Sequence, residues 1–261
     1  MIQTVELERI AGALHSARCD RRAIPPISES WPGLGVAEAY AVQRIGLERR
    51  LAEGARLRGH KIGLTARVMQ RQLGVDAPDY GYLLDDMIHP EGSTIPVEGY
   101  IAPRIEPELA FMLRRRLTGP GVTAADVLRA TEFVCPALEL IDSRIAGWRI
   151  KLVDTVADNA SSAGVVLAGN PILPSRVNLR FVPVVLSRNG ELCETGAGAA
   201  VLGNPVNAVA WLANALGTHG VSLDAGQLVL AGSFTASVAV SAGDRFGAEF
   251  GELGQVCVAF R

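Results

Sequence analysis

The chain has 261 residues, 49% of them apolar, enough for one large core or two smaller ones. Its 25 basic and 27 acidic side chains leave a formal charge of −2 with no long run of either sign, which argues against a nucleic-acid or membrane-surface partner. Cys19, Cys135, Cys193 and Cys257 form no CxxC pair, so neither a zinc site nor a disulfide framework is expected, and a reducing cytoplasm fits.

Residues Met1 to Arg9 mix acids among apolar side chains, so no signal peptide or membrane span is expected there. Val5, Leu7, Ile10, Ala13 and Leu14 recur near helical spacing and predict a helix over Thr4 to Arg18. Val36, Ala39, Tyr40, Leu47 and Leu51 predict a second over Val36 to Glu53. Between them, Ile24 to Ser28 and Trp31 to Gly33 are rich in Pro and Gly and read as an ordered surface connection without a third element.

From Leu57 the pattern changes to short apolar runs bounded by Gly and Pro. Strands are predicted at His60 to Leu64, Tyr80 to Ile88, Leu109 to Leu113, Val134 to Ile141 and Val165 to Ala168. Further strands are predicted at Phe181 to Arg188, before the turn dipeptide Asn189-Gly190, and at Gln227 to Leu230, Ser237 to Val240, Arg245 to Phe250 and Gln255 to Phe260. Arg114-Arg115-Arg116 reads as a solvated strand end entering a turn, and helices are expected at Ala124 to Phe133 and Val206 to Leu216. The order implies an α+β chain, with a helical region over 1–56 packed on a main domain over 57–261.

In Pro103-Arg104-Ile105-Glu106-Pro107-Glu108-Leu109, a strand's period of two puts Glu106 and Glu108 on one face. Two like charges that continue into apolar residues conflict unless one is neutralised or a cation joins them. Glu139 interrupts the otherwise apolar run Val134 to Ile141 and needs a partner, either a cation shared with the pair or an arginine such as Arg104 or Arg144. Three carboxylates with no Cys or His pair nearby form a hard-oxygen set suited to Mg²⁺ or Mn²⁺. On residues alone, the E-x-E pair reads first as a solvated strand face.

Gly59-His60-Lys61-Ile62-Gly63-Leu64-Thr65, Asp79-Tyr80-Gly81, the Glu106 and Glu108 segment, and Pro136-Ala137-Leu138-Glu139-Leu140-Ile141-Asp142-Ser143-Arg144 together resemble the hydratase/decarboxylase branch of the fumarylacetoacetate hydrolase family. Asp154 to Ser161 and Leu202-Gly203-Asn204-Pro205 extend the likeness over most of the chain. The resemblance implies a mixed β-roll or β-sandwich with peripheral helices, and Mg²⁺ or Mn²⁺ on Glu106, Glu108 and Glu139. It implies metal-dependent hydration of a 2-hydroxydienoate to a 4-hydroxy-2-oxo acid in meta-cleavage degradation of aromatic compounds.

By the same resemblance, Lys61 would contact the substrate carboxylate or enolate oxygen, or shuttle a proton if burial lowers its pKa. Asp79 would carry a proton, and Ser161 with Ser233, Phe234 and Thr235 would line the substrate pocket. His60, next to Lys61, faces the other side of its strand and reads as a packing residue. Asp142 and Arg144 are read as a supporting ion pair. A homo-oligomer is implied, with association with a sister decarboxylase as a further possibility. The alternatives within reach of the same motifs are decarboxylation of 2-oxo-3-hexenedioate and a non-catalytic partner subunit.

Overall fold

The computed structural model describes residues 3–66, 70–71 and 74–261. The two opening helices form at Thr4–Asp20 and Val36–Ala52, where the apolar spacing places them. The connection between them holds one helical turn, Ile27–Ser30, that the breaker-rich sequence does not suggest. It is held from far along the chain: the Asp154 carboxylate accepts the Ser28 N–H and its hydroxyl, both at 2.8 Å. Ile10, Leu14, Ile27, Leu34 and Val42 pack with Ile145, Val156 and Ala157, which seats the helical region against the turn that carries part of the site.

Thirteen strands are described: β1 Leu57–Gly63, β2 Asp79–Leu84, β3 Ile88–Pro90, β4 Thr94–Ile95, β5 Arg104–Leu113, β6 Thr131–Ile141, β7 Ser162–Leu167, β8 Pro183–Arg188, β9 Glu191–Ala197, β10 Leu228–Leu230, β11 Val238–Ala239, β12 Arg245–Glu249 and β13 Gln255–Phe260. One sheet runs β2-β1-β10-β5-β6-β7-β3 with β11 also on β5, and the other runs β4-β13-β12-β8-β9. The pairing is mixed: β1 with β10, β3 with β7 and β4 with β13 are parallel, and the rest antiparallel. This is the expected α+β class.

Two predicted elements differ, and one hairpin strand is not predicted. The run Tyr80 to Ile88 is broken at Asp85–Met87, so β2 and β3 lie at opposite edges of one sheet; the Asp85 carboxylate accepts the Arg56 N–H at 2.9 Å and turns the chain. The helix from Ala124 stops at Ala130, where Thr131 pairs with Leu113 and its hydroxyl donates to Val127 O at 2.8 Å. β9 escapes the sequence pattern because it is a largely exposed strand, yet its hairpin turn is where Asn189-Gly190 sits, with φ of 56° and 85° as a two-residue hairpin demands.

β5 alternates as a strand should. Ile105, Leu109, Phe111 and Leu113 enter the main core, shared with Phe246 and Phe250 and with the helix Pro205–Gly217. Ala110 enters a smaller cluster with Cys135, Ala137, Leu228 and Leu230, while Glu106 and Glu108 continue that second face. The register brings the carboxyl ends of β1, β10 and β6 and the amino ends of β2, β5 and β7 to one edge of the sheet. No helix among the described residues is long and apolar enough to cross a membrane.

Candidate active site

At that edge Glu106 and Glu139 are register partners across β5 and β6, and Glu108 lies two residues along the same face. One carboxylate oxygen from each lies within 4.8 Å of the others. Glu108 and Glu139 are buried and Glu106 is half-buried. Glu108 Oε2 accepts the Gly232 N–H at 2.8 Å, whereas Glu108 Oε1 and Glu139 Oε1 have no hydrogen-bond partner among the described residues.

Burial and the neighbouring Glu139 charge push the Glu106 carboxyl up to about 7, and the same causes raise Glu108 well above the usual carboxylate range. Burial also raises Glu139, against the pull of Lys61. Buried acids with orphaned oxygens are costly unless a cation completes them. The donor set is all carboxylate oxygen, so it fits a hard divalent ion of the Mg²⁺ or Mn²⁺ type.

The partner that the protein itself supplies to Glu139 is Lys61, rather than Arg104 or Arg144. The Lys61 Nζ lies 3.4 Å from Glu139 Oε2 and donates to Ala160 O at 3.0 Å, and the side chain is buried. Burial alone would lower its pKa, but the carboxylates of Glu139, Asp79, Glu106 and Glu108 outweigh it and hold the ammonium above its ordinary value. In the metal-free protein Lys61 is therefore held as a cation, and its burial does not lower it overall. Arg104 instead donates to Ser237 Oγ at 2.8 Å and lies over the Trp148 ring.

Asp79 opens β2 opposite Gly63 and is buried, with Oδ1 unpartnered and Oδ2 accepting the Thr155 hydroxyl at 3.4 Å. Burial raises its pKa and Lys61 opposes that rise. A Cβ on Gly63 would stand 2.2 Å from Asp79 Oδ1 and 3.4 Å from Lys61 Nζ, so glycine here leaves room for both side chains.

Ser161 ends the turn Asn159-Ala160-Ser161, in which three consecutive residues have φ of 55°, 50° and 56°. Left-handed backbone costs roughly 1–2 kcal/mol per non-glycine residue, so the turn must be held by its surroundings. Asn159 holds one side: its Oδ1 accepts the Tyr82 N–H at 2.7 Å and its Nδ2 donates to Tyr82 O at 3.0 Å. The result is a buried, unpartnered Ser161 hydroxyl and an Ala160 carbonyl aimed at Lys61.

Arg144 is buried and pairs with Asp158, not with Asp142 as the sequence suggests. The Asp142 carboxylate accepts the backbone N–H groups of Ile101 and Ala102 at 2.9 and 2.7 Å. The Phe234 ring packs on Phe250 in the core at 5.8 Å and its N–H goes to Pro107 O at 3.0 Å, so both are engaged within the protein. Ser233 and Thr235 are half-buried and hydrogen-bonded to each other, with the Ser233 hydroxyl donating to Thr235 O at 2.9 Å. His60 is buried on the other face, and burial lowers its pKa to about 4, so it stays neutral as a packing residue.

Ala160 O belongs to the site and was not singled out from the sequence, since a backbone acceptor leaves no residue signature, and the Gly232 N–H binds Glu108. A cavity of about 630 Å³ lies elsewhere, between the helix Thr4–Asp20 and the segment Ala157 to Ala163, and is lined by none of Glu106, Glu108, Glu139, Lys61 or Asp79.

No protein-family model matches the chain. It is 46% identical over 257 residues to 2-oxo-hept-4-ene-1,7-dioate hydratase of Escherichia coli, covering 96% of each. It is also 46% identical over 253 residues to 2-keto-4-pentenoate hydratase of Paraburkholderia xenovorans (strain LB400), covering 97% of this chain and 94% of that one. Its structure is similar to that of 4-oxalocrotonate decarboxylase from Pseudomonas putida G7 complexed with magnesium and adipate, with a TM-score of 0.98 and 35% identity over 100% of this chain and 99% of the other. A fumarylacetoacetate hydrolase family protein from Yersinia pestis CO92 shares the fold, with a TM-score of 0.60 and 16% identity over 78% of this chain and 93% of that one.

Proposed function

The chain belongs to the hydratase/decarboxylase branch of the fumarylacetoacetate hydrolase family and is a hydro-lyase of aromatic meta-cleavage, and we propose that it hydrates 2-hydroxypenta-2,4-dienoate or a close analogue at the Glu106, Glu108 and Glu139 centre. The observation that carries this reading is the carboxylate trio itself, three acid oxygens within 4.8 Å beside a buried lysine.

The reaction converts the dienol into a 4-hydroxy-2-oxo acid. The enol proton leaves oxygen, the fifth carbon gains a proton, water oxygen bonds the fourth carbon, and the third carbon takes the remaining proton. Negative charge passes through the oxygen on the second carbon. Held by Glu106, Glu108 and Glu139, Mg²⁺ or Mn²⁺ would supply a Lewis acid for that developing charge. The Lys61 ammonium, held charged, donates to the same oxygen and stabilises charge that develops there. Asp79 Oδ1, unpartnered and raised in pKa by burial, holds and transfers the mobile proton. Ser161 Oγ donates to the substrate carboxylate, and Ser233 and Thr235 border the pocket.

In this reading the protein works in the cytoplasm as a homo-oligomer, with association with a sister decarboxylase open to it. Four free cysteines support a reducing compartment, and the exposed apolar side chains of Phe181, Val185 and Leu192 about β8 and β9 support a subunit contact.

The test is to strip the protein of metal and offer it 2-hydroxypenta-2,4-dienoate and, separately, 2-oxo-3-hexenedioate, with and without Mg²⁺, following ultraviolet absorbance and evolved CO₂. Metal-dependent loss of the dienoate with a 4-hydroxy-2-oxo acid as product is expected. CO₂ from the diacid alone would make the chain a decarboxylase, and silence with both would leave a non-catalytic partner subunit.

A further inference from the structure

We infer that Arg144 is a positioning residue for Lys61, a role that rests on the reading above in which Lys61 acts on the substrate. The turn Asn159-Ala160-Ser161 is left-handed throughout, a conformation its own residues disfavour. Arg144 grips it from both ends. On the entry side the guanidinium pairs with the Asp158 carboxylate through Nε and donates from Nη2 to Asp158 O at 2.5 Å. On the exit side Nη1 donates to Ser162 O at 3.3 Å, and it reaches Asp142 O at 2.6 Å. The Arg144 backbone N–H adds a bond to Asp158 Oδ2 at 2.8 Å.

The output of this clamp is one carbonyl. Ala160 O, midway between the gripped ends, accepts from Lys61 Nζ at 3.0 Å and thereby fixes the ammonium 3.4 Å from Glu139 Oε2. Packing fixes the opposite side, since a Cβ on Gly81 would lie 2.4 Å from Asn159 O. The rigid fork of a guanidinium can hold a carboxylate and several carbonyls at once, which a lysine cannot reproduce. Arg144 and Asp158 do not face the carboxylate trio, so they act through the turn.

The experiment compares Arg144→Lys with the wild type, both loaded with Mn²⁺, reading kcat and KM for the dienoate alongside Mn²⁺ affinity, circular dichroism and oligomer size. The expected result is a fall in kcat of about tenfold or more, with KM and Mn²⁺ affinity within about threefold of wild type. Asp158→Asn, which keeps shape and removes the charge, is expected to give the same split and serves if Arg144→Lys does not fold. Unchanged kcat in a folded variant overturns the inference. So does a kcat loss matched by equal losses of Mn²⁺ affinity and thermal stability, or collapse of both variants, because either assigns the pair to stability alone. An inactive wild type would instead overturn the functional reading and the inference with it, whereas an active wild type with unaltered variants overturns only the role of Arg144.

Discussion

Glu139 stands directly opposite Glu106 in the register of β6 against β5, so a buried acid faces a half-buried one across a single strand spacing. Glu108 joins them on the same face, and the one cation within ion-pair distance of the trio, among the described residues, is Lys61.

Removing one acid should separate stability from metal binding. Glu108→Gln keeps an oxygen for the Gly232 N–H and removes a buried negative charge, so the metal-free variant should melt no lower than the metal-free wild type. Its Mg²⁺ affinity should fall by about tenfold or more, with turnover falling alongside. Calorimetric titration with Mg²⁺ and thermal melts in chelator check both, and undiminished affinity would remove Glu108 from the ligand set.

The metal-free protein should lose stability as pH rises. The Glu106 carboxyl is held at about 7 in the fold against an ordinary value of 4.5, so between these values the folded state binds more protons than the unfolded one. Its stabilising effect is full below the unfolded value and is gone once pH has passed through the folded one. Melts in chelator from about pH 5 to about pH 8 should therefore fall, while the Mg²⁺-loaded protein falls less, because the cation takes over from the proton. Parallel curves with and without Mg²⁺ would refute this.

Lys61→Met should keep the metal and lose rate. With the ammonium gone, Glu139 has no cation but the metal, so the metal-free variant should be destabilised by about 3–5 kcal/mol and largely recover on adding Mg²⁺. Denaturant unfolding with and without Mg²⁺ measures the first part and steady-state turnover the second. Wild-type turnover in the variant would exclude Lys61 from the chemistry.

Gly232→Ala tests a backbone group. Gly232 has φ of 115°, and a Cβ there would lie 2.3 Å from Thr65 Oγ1, so the substitution must displace the N–H that binds Glu108. A stability loss of about 1–3 kcal/mol is expected, together with weaker Mg²⁺ binding. Wild-type melting and affinity would show that the loop absorbs the methyl group without moving.

The sequence shows the acids more readily than the strands that carry them. Period-two spacing is enough to put Glu106 and Glu108 on one face, and an acid inside an apolar run is enough to single out Glu139. The predicted apolar runs nonetheless begin only at Leu109 and Val134, whereas β5 and β6 start at Arg104 and Thr131 and run straight through Pro107 and Pro136. Proline is tolerated because each missing donor falls where a neighbouring strand has ended. Pro107 O accepts the Phe234 N–H in the gap between β10 and β11, and Pro136 O accepts the Ala168 N–H just past β7, so each proline's empty side faces a break in the ladder. A strand's neighbours are a tertiary fact and could not be read locally.

Arg144 shows the same limit in the site. Asp142 is nearer in sequence and Asp158 lies fourteen positions on, yet the choice of partner depends on how the turn after the helix Leu152–Ala157 folds back. Asp142 is already engaged by the Ile101 and Ala102 N–H groups. Phe234 sits in a motif of pocket-lining type but obeys its hydrophobicity and enters the core.

The register between β5 and β6 has one further effect, on the fidelity of folding. A slip of a single residue would turn Glu139 to the face that holds Ile105 and Phe111, and bring Leu138 or Leu140 to the place it left. Only molecules with the two strands correctly aligned present all three acids together, so a divalent ion held by the trio would favour the aligned sheet over its misaligned competitors and proofread its assembly.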